Sequence, residues 1–197
     1  MADEAPEFLT GPGLARDAYE FAEDAHRGQE RKGDGSPYIA HPVELARLLV
    51  AEGHSGEALL AAAFLHDTVE DTDATLGEIQ ERFGDDVHRM VDAMTEDKEI
   101  DPYEARKAHH REEVEAAGKA PVLIYAADKL ANLRDMRSLY AAVGEGAAGR
   151  FNAPLDVRFK LWREDAEMIE RVTPGLGILE AFRSELDAFE AERGATA

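Results

Sequence analysis

The chain has 197 residues, with 42 Asp or Glu against 22 Lys or Arg, so its formal net charge at pH 7 is -20. Such an acidic surface repels nucleic-acid backbones and anionic membranes, so we expect neither as a partner. The sequence has no cysteine, which excludes disulfides and thiolate metal sites and leaves nitrogen and oxygen ligands for any metal. It shows neither a secretory leader nor an apolar run approaching about 18 residues, so we expect a single cytoplasmic domain.

The first fifty residues are predicted to form two helices joined by a loop. Residues 1–13 contain Pro and Gly without periodicity, and we expect a loose tail there. Apolar residues recur at helical spacing over 14–27, and a glycine follows, which predicts a helix with a defined end. After a turn-rich loop over 29–38, Pro42 predicts the start of a second helix, because proline suits a first helical position.

The polar end of the next predicted helix is the most unusual feature of the sequence. The run 58–65 is rich in Ala and Leu, which predicts a buried helix. If this central helix continues through Asp71, residues four apart share a face, so His66 lies over Glu70 and Asp67 over Asp71. Carboxylates crowded at the negative end of a buried helix repel one another unless a cation neutralises them. The pattern therefore predicts a metal ion at this point.

The second half of the chain is also predicted to be helical. Thr75 and Glu78 form a capping box, and Gly or Pro residues bound most of the later segments. These helices are predicted, in chain order, over 75–84, 85–95, 101–117, 122–136, 154–172 and 176–190. No strand pattern persists and no repeat of 20–50 residues occurs, so the prediction is one all-α domain over 14–197.

Asp128 and Asn132 form a second polar pair inside an otherwise apolar helix, where their spacing of four places them on one face. With this pair, the candidate metal ligands come from three separated helices: His41, His66, Asp67 and Asp128. Two imidazoles and two carboxylates suit ions such as Mn, Fe, Zn, Ni or Co. Ligands drawn from separate elements leave positions open for water or substrate, which is typical of a catalytic metal site.

Charged residues near these candidates indicate phosphoryl chemistry. Glu70 and Asp71 lie one turn beyond the His-Asp pair, where carboxylates can orient an attacking water or accept its proton. Arg31 and Lys32 add positive charge in the loop, and an arginine can both fork onto phosphate and stack on a nucleobase. The remaining histidines lack comparable contexts, and we interpret them as surface or hydrogen-bonded residues: His26, His54, His88, His109 and His110.

Four segments carry a resemblance to a known family. They read AHRGQERK at 25–32, PYIAHP at 37–42, HDTVEDT at 66–72 and DKLANLRD at 128–135. The ordered set resembles the HD-domain (p)ppGpp hydrolases of the RelA/SpoT superfamily, and among them the small alarmone hydrolases. The likeness extends from residue 14 to residue 135 and implies an all-α HD-domain fold with a central HD helix.

The resemblance also implies roles and a reaction. The four candidate ligands become the ligands of a single Mn²⁺ ion, and Glu70 and Asp71 become the pair that activates the water. Arg31 and Lys32 become the contacts to the guanine base and the phosphates. Asn132 becomes a further nucleotide contact. The implied reaction removes the 3′-pyrophosphate from guanosine tetra- or pentaphosphate, which gives GDP or GTP and pyrophosphate.

One departure from the family pattern keeps two alternatives open. The family usually has a lysine three residues before the last ligating aspartate, where this chain has Tyr125, and a phenol cannot supply that positive charge. The first alternative is therefore the same chemistry on another 2′- or 3′-phosphorylated nucleotide or on a deoxynucleotide. The second is a non-catalytic HD scaffold that binds the alarmone or a protein, although such proteins typically lose a ligand or the acidic pair. Protein partners and oligomeric state are not predicted.

Overall fold

The computed structural model describes residues 5–31, 35–144, 146 and 153–196. Within these residues the fold is all-α, as predicted, and an isolated bridge between Glu30 and Pro37 is the only β-type pairing. The helices are α1 (Leu14–Ala25), α2 (Ala40–Ala51), α3 (Glu57–Leu65), α4 (Thr68–Asp71), α5 (Leu76–Met94), α6 (Tyr103–Ala117), α7 (Lys119–Val143), α8 (Leu155–Val172) and α9 (Gly177–Thr196).

Helix α3 lies at the centre of the fold. Its residues from Leu60 to Leu65 are buried all round, and it contacts α1, α2, α5 and α7. A helix that is apolar on every side can bury its whole surface only when other helices surround it. The buried residues of α1 to α9 form one continuous core around it. The predicted central position of the Ala-Leu run is confirmed.

The central helix does not continue without a break through Asp71. Helix α3 ends at Leu65, and the four-residue α4 begins only at Thr68. Side chains compete for the carbonyl groups at this break, because Nδ1 of His66 lies 2.9 Å from the oxygen of Ala63 and Oγ1 of Thr68 donates to Leu65 at 2.7 Å. The His-Asp pair therefore lies in the connection between two helices, where the expected stacking of residues four apart does not continue.

Glycine marks the predicted helix boundaries, whereas packing decides the length of α7. Gly84 has non-helical angles (φ 85°, ψ 172°) inside α5, and Gly118 (φ 96°) separates α6 from α7. Helix α7 is longer than the predicted 122–136. Proline is tolerated in a first turn, so Pro121 does not prevent an earlier start. Tyr140 extends the buried face, with its ring 5.2 Å from that of Phe189 on α9.

The N-terminal segment is not entirely loose. Residues 1–4 lie outside the described residues, but the ring of Phe8 stacks on that of Phe64 at 6.5 Å, and Leu9 is buried. The expected loose tail over 1–13 is thus wrong for its second half, because these apolar side chains cover the end of α3. None of the helices in the described ranges is both long and apolar enough to cross a membrane.

Candidate metal centre and substrate cavity

The candidate ligands meet where the first turn of α2, the residues that follow α3 and the middle of α7 face one cavity. One ligand atom each from His41, His66 and Asp128 can be chosen so that all three lie within 4.8 Å of one another, and all three residues are buried. Nε2 of His41 lies 3.2 Å from Oδ1 of Asp128, and Nε2 of His66 lies 3.8 Å from that oxygen. Oδ2 of Asp67 lies 2.9 Å from Nε2 of His66 and 3.7 Å from Nε2 of His41. Residues far apart in the sequence thus form one cluster.

The donor arrangement at His66 fits a metal ion. The contact between Nδ1 and the Ala63 carbonyl places a proton on Nδ1, so Nε2, which faces the cluster, is the nitrogen that can bind a metal. No described residue forms a hydrogen bond with this buried Nε2, although a carboxylate oxygen of Asp67 lies 2.9 Å away. A lone pair and a carboxylate oxygen repel at this distance unless positive charge lies between them. His and Asp atoms at such spacing are suitable ligands for a divalent ion.

The pKa values of the clustered side chains also indicate a site for positive charge. Burial lowers the pKa of His41, which favours the neutral imidazole that coordination requires. Burial also opposes charge on His66, but the carboxylates of Asp67 and Asp128 outweigh it and raise its pKa to about 9. Burial opposes ionisation of both carboxylates too, yet the pKa of Asp67 stays low because of the imidazoles, and that of Asp128 because of Lys129 and His41. The cluster therefore favours two ionised carboxylates with a positive charge between them.

Glu70 and Asp71 lie on α4 at the edge of the same cavity. Oε1 of Glu70 accepts a hydrogen bond from the main-chain N–H of Glu96 at 2.8 Å, and Nζ of Lys98 donates to the carbonyl oxygen of Glu70 at 2.8 Å. Burial raises the pKa of Glu70, and the negative charges of Asp67 and Glu96 add to the effect. A carboxylate with a raised pKa is a better proton acceptor than an ordinary glutamate. Asp71 lies near Lys98, with 3.5 Å between Oδ1 and Nζ.

The cavity beside the cluster has a volume of about 970 Å³, which is large enough for a nucleotide. Although the chain is strongly acidic, six cationic side chains line this cavity. They come from the paired residues 29–31 and 35–38, called the hairpin below, from the α5–α6 connection and from helices α6, α7 and α8. They are Arg31, Lys98, Arg106, Lys107, Lys129 and Arg158. Eight acidic side chains share this lining, so the cavity is less acidic than the chain as a whole, in which 42 acidic residues face 22 basic ones.

The predicted substrate contacts are only partly described. Arg31 lines the cavity, and its guanidinium forms an ion pair with Asp135 of α7. Lys32 lies outside the described residues. Asn132 also lines the cavity, and its Nδ2 donates to Oδ1 of Asp128 at 2.6 Å, so it contacts a candidate ligand directly. The roles of these residues toward a nucleotide stay predictions.

The sequence did not point to several residues that border the site. Tyr38 donates a hydrogen bond to Asp67, and Nζ of Lys129 lies 2.9 Å from Oδ2 of Asp128. Lys129 directly follows a candidate ligand, which was the only available signal. His26 and His110 were interpreted as surface or hydrogen-bonded residues, and both are buried: His26 is hydrogen-bonded to Gln29 and stacks on Tyr38, and His110 lines the cavity. Their neighbours come from other elements, so no local pattern identifies them.

Tyr125, which departs from the family pattern, uses its hydroxyl to bind another side chain and does not serve as a phosphate-binding residue. It is buried, and its hydroxyl donates to Oδ1 of Asp165 on α8 at 2.9 Å. Nη1 of Arg111 contacts the same oxygen at 2.7 Å. The ammonium of Lys129 lies 4.2 Å from the centre of the Tyr125 ring, on the side of the cavity. A cation is therefore present next to the position where the resemblance leads us to expect a lysine.

Comparisons with known proteins agree with this geometry. The family model described as HD domain matches residues 18–148. The mouse guanosine-3′,5′-bis(diphosphate) 3′-pyrophosphohydrolase MESH1 is 43% identical over 138 residues, which cover 69% of this chain and 73% of that protein. The bacterial enzyme of the same description from Aquifex aeolicus is 39% identical over 121 residues, which cover only 17% of its length.

Solved structures show a similar fold. A metazoan orthologue of SpoT that hydrolyses ppGpp and plays a role in starvation responses has a TM-score of 0.73 and 28% identity, and the match covers 93% of this chain and 97% of that one. The protein lmo0812 of Listeria monocytogenes has a TM-score of 0.67 and 28% identity, with 76% and 99% covered.

Proposed function

The chain belongs to the HD-domain family and, within it, to the RelA/SpoT-related (p)ppGpp hydrolases, and on this premise we propose that it is a metal-dependent hydrolase of guanosine tetra- and pentaphosphate. The reaction removes the 3′-pyrophosphate. The oxygen of water forms a bond to the phosphorus attached to the 3′ oxygen, and the bond between that phosphorus and the 3′ oxygen breaks. The 3′ oxygen of the nucleotide then takes up a proton. The products are GDP or GTP and pyrophosphate.

The observation that carries the proposal is the convergence of His41, His66 and Asp128, with Asp67 beside them, at a cavity to which six Lys or Arg side chains also contribute. These four residues would hold the metal. A divalent ion in such a site lowers the pKa of bound water and polarises a phosphoryl oxygen. We propose Mn²⁺ as the ion, because the ligand set of imidazoles and carboxylates suits it and the resemblance implies it.

The protein's own side chains divide the remaining tasks. Glu70 accepts the proton of the attacking water, and Asp71 helps to orient that water. Arg31 and Lys32 bind the guanine base and phosphates, since an arginine can stack on the one and fork onto the other. Asn132 holds Asp128 in place and contacts the nucleotide. We expect the enzyme to act in the cytoplasm.

The test is pyrophosphate release from ppGpp by metal-stripped protein, with and without Mn²⁺, and with Mg²⁺, Zn²⁺, Fe²⁺, Ni²⁺ and Co²⁺ in parallel. We expect release only with added metal and the highest rate with Mn²⁺. A higher rate with another ion would overturn the choice of manganese alone. Binding of ppGpp without release at saturating metal would favour the non-catalytic scaffold instead.

A second substrate class is kept open by Tyr125, whose hydroxyl bonds Asp165 and leaves Lys129 to supply the nearby positive charge. The alternative is hydrolysis of another 2′- or 3′-phosphorylated nucleotide, or of a deoxynucleotide. The same assay on pppGpp, 2′-phosphorylated and 3′-phosphorylated nucleotides and deoxynucleoside triphosphates separates these possibilities. We expect kcat/KM for ppGpp or pppGpp to exceed that for every other compound in the panel.

A further inference from the structure

Tyr38 stands at the end of the hairpin that carries Arg31, and it contacts the metal centre directly. Its hydroxyl donates a hydrogen bond to Oδ2 of Asp67. The same oxygen lies 2.9 Å from Nε2 of His66 and 3.7 Å from Nε2 of His41, so it is the atom that Asp67 would offer to a metal. Tyr38 thus binds Oδ2, the oxygen of Asp67 that lies near both imidazoles, and not the other oxygen of the carboxylate.

The Tyr38 ring is held by two imidazoles. One face stacks on His26, with ring centroids 4.4 Å apart and planes inclined by 28°. Its ring lies edge-on to that of His41 at 5.9 Å and 63°. In addition, the carbonyl oxygen of Tyr38 accepts the main-chain N–H of His41 at 2.9 Å. One residue therefore contacts two of the four candidate ligands.

Gln29 ties this arrangement to the acidic pair. Its Oε1 lies 2.9 Å from Nδ1 of His26, and its carbonyl oxygen accepts the N–H of Tyr38 at 3.0 Å. Its Nε2 donates to the carbonyl oxygen of Asp71 at 2.8 Å. One end of the hairpin is thereby fixed to the last residue of α4 and the other, through Tyr38, to Asp67 in the α3–α4 connection, so the orientation of the Tyr38 hydroxyl is determined by several independent contacts.

Asp67 needs such support more than the other candidate ligands do. Its side chain is 23% exposed, whereas those of His41, His66 and Asp128 are exposed by 4%, 2% and 9%. A carboxylate at the cavity wall can rotate toward water, which costs binding energy when a metal must recruit it. Partners that orient a ligand from behind typically contribute about 10- to 100-fold to metal affinity.

We propose that Tyr38 is a positioning residue of the metal centre, through which the hairpin of residues 29–31 and 35–38 holds the carboxylate of Asp67 in its metal-binding orientation. The inference rests on the metal centre of the proposed function. Replacing Tyr38 by Phe removes only the hydroxyl and keeps the ring between His26 and His41. The side chain is only half-buried, so this change opens no cavity in the core.

The experiment compares metal-stripped wild type, Tyr38→Phe and Tyr19→Phe by calorimetric titration with Mn²⁺. Tyr19 is a matched control, because it is a buried tyrosine whose hydroxyl donates to Glu23 at 3.2 Å on helix α1. We expect the Kd for Mn²⁺ to rise about 10-fold or more in Tyr38→Phe and to change less than about 2-fold in Tyr19→Phe. The Tm of each metal-free protein is measured in parallel.

A positioning role and a structural role give different results. Positioning predicts an unchanged metal-free Tm with a smaller rise in Tm on adding Mn²⁺ to Tyr38→Phe. Equal Kd values for Tyr38→Phe and wild type would overturn the inference while leaving the metal centre intact. If the metal-free Tm of Tyr38→Phe fell by enough to explain the whole loss of Mn²⁺ affinity, the inference would be overturned, and Tyr38 would have a structural role instead. Failure of the wild type to bind any of the tested ions would instead overturn the proposed metal centre itself.

Discussion

The main-chain N–H of Glu96 donates a hydrogen bond to Oε1 of Glu70, with 2.8 Å between nitrogen and oxygen. Glu96 lies in the α5–α6 connection, and its own carboxylate is paired with Arg106 and Lys107 of α6. The connection also supplies Lys98, which binds the carbonyl oxygen of Glu70. A segment about 26 residues along the chain from the acidic pair therefore orients the proposed proton acceptor.

Replacing Glu70 by Gln should remove most of the turnover without removing the metal. The amide keeps the shape of the side chain but cannot accept the proton of water, so we expect kcat to fall by about 10²- to 10⁴-fold. Pyrophosphate release and Mn²⁺ titration are measured on the same preparation, with the exposed Glu104→Gln on α6 as the control. A Glu70→Gln enzyme with nearly full kcat would contradict the assigned role.

Replacing Asp128 by Asn should remove the metal. The substitution keeps the volume but loses a buried negative charge that the divalent ion requires. We expect a loss of Mn²⁺ affinity larger than the about 10- to 100-fold effect of outer partners, and no measurable turnover. The exposed Asp92→Asn on α5 controls for a change of net charge. If Asp128→Asn bound Mn²⁺ as tightly as wild type, Asp128 would not be a ligand.

Metal removal should lower the unfolding temperature. A ligand that binds only the folded protein stabilises it by about 2.7 kcal/mol at a concentration 100 times Kd. For a chain of this length, that corresponds to a rise in Tm of roughly 5–10 °C. Scanning calorimetry in chelator and in Mn²⁺ measures the difference. The rise should vanish in Asp128→Asn, and a rise that persisted there would indicate binding elsewhere.

Replacing Glu96 by Gln should destabilise the protein in a pH-dependent manner. Burial opposes its ionisation, but His110 and Lys107 outweigh burial and hold the pKa of Glu96 below its usual 4.5. A carboxylate whose folded pKa is depressed contributes stability above its unfolded pKa and loses it as pH falls toward the folded pKa. We expect a loss of about 1.5–3 kcal/mol at pH 7, shrinking progressively at pH 4 and pH 3.

Urea unfolding at these three pH values tests the point, with Glu104→Gln as the reference. A difference between wild type and Glu96→Gln that stayed constant with pH would assign the effect to packing instead of charge. The carboxylate of Glu96 also anchors the α5–α6 connection to α6, and the main-chain N–H of Glu96 binds Glu70. We therefore expect Glu96→Gln to lower kcat while leaving the Kd for Mn²⁺ unchanged. This pattern distinguishes the α5–α6 connection from the Tyr38 hairpin, which acts on the metal.

Replacing Arg31 by Met should weaken substrate binding. A charge-assisted hydrogen bond to phosphate contributes about 1.5–3 kcal/mol, which corresponds to a rise in KM of roughly 10- to 100-fold with little change in kcat. Arg27→Met is the control, since Arg27 is exposed in the same region and pairs only locally, with Asp24. An unchanged KM in Arg31→Met would contradict the predicted contact and leave its ion pair with Asp135 as its role.

Local chemistry in the sequence was sufficient to predict most of the helices and to select the candidate ligands. Gly84 and Gly118 interrupt helices because only glycine adopts their positive φ without strain, and such signals are local. The His-Asp pair was visible because carboxylates at the end of an apolar helix conflict with burial. The length of α7 and the break at His66 were not predicted, because packing on α9 and side-chain bonds to carbonyl groups decide them.

By itself, the sequence determined that the protein is all-α and which side chains could hold a metal, because helix periodicity and residue chemistry act over a few neighbouring positions. Only the tertiary structure decided that His41 meets Asp128, 87 residues away, and that Tyr38 and Glu96 support Asp67 and Glu70. Those distances depend on how the apolar faces of separate helices pack around α3. Packing is a property of the whole core, and no local pattern encodes it.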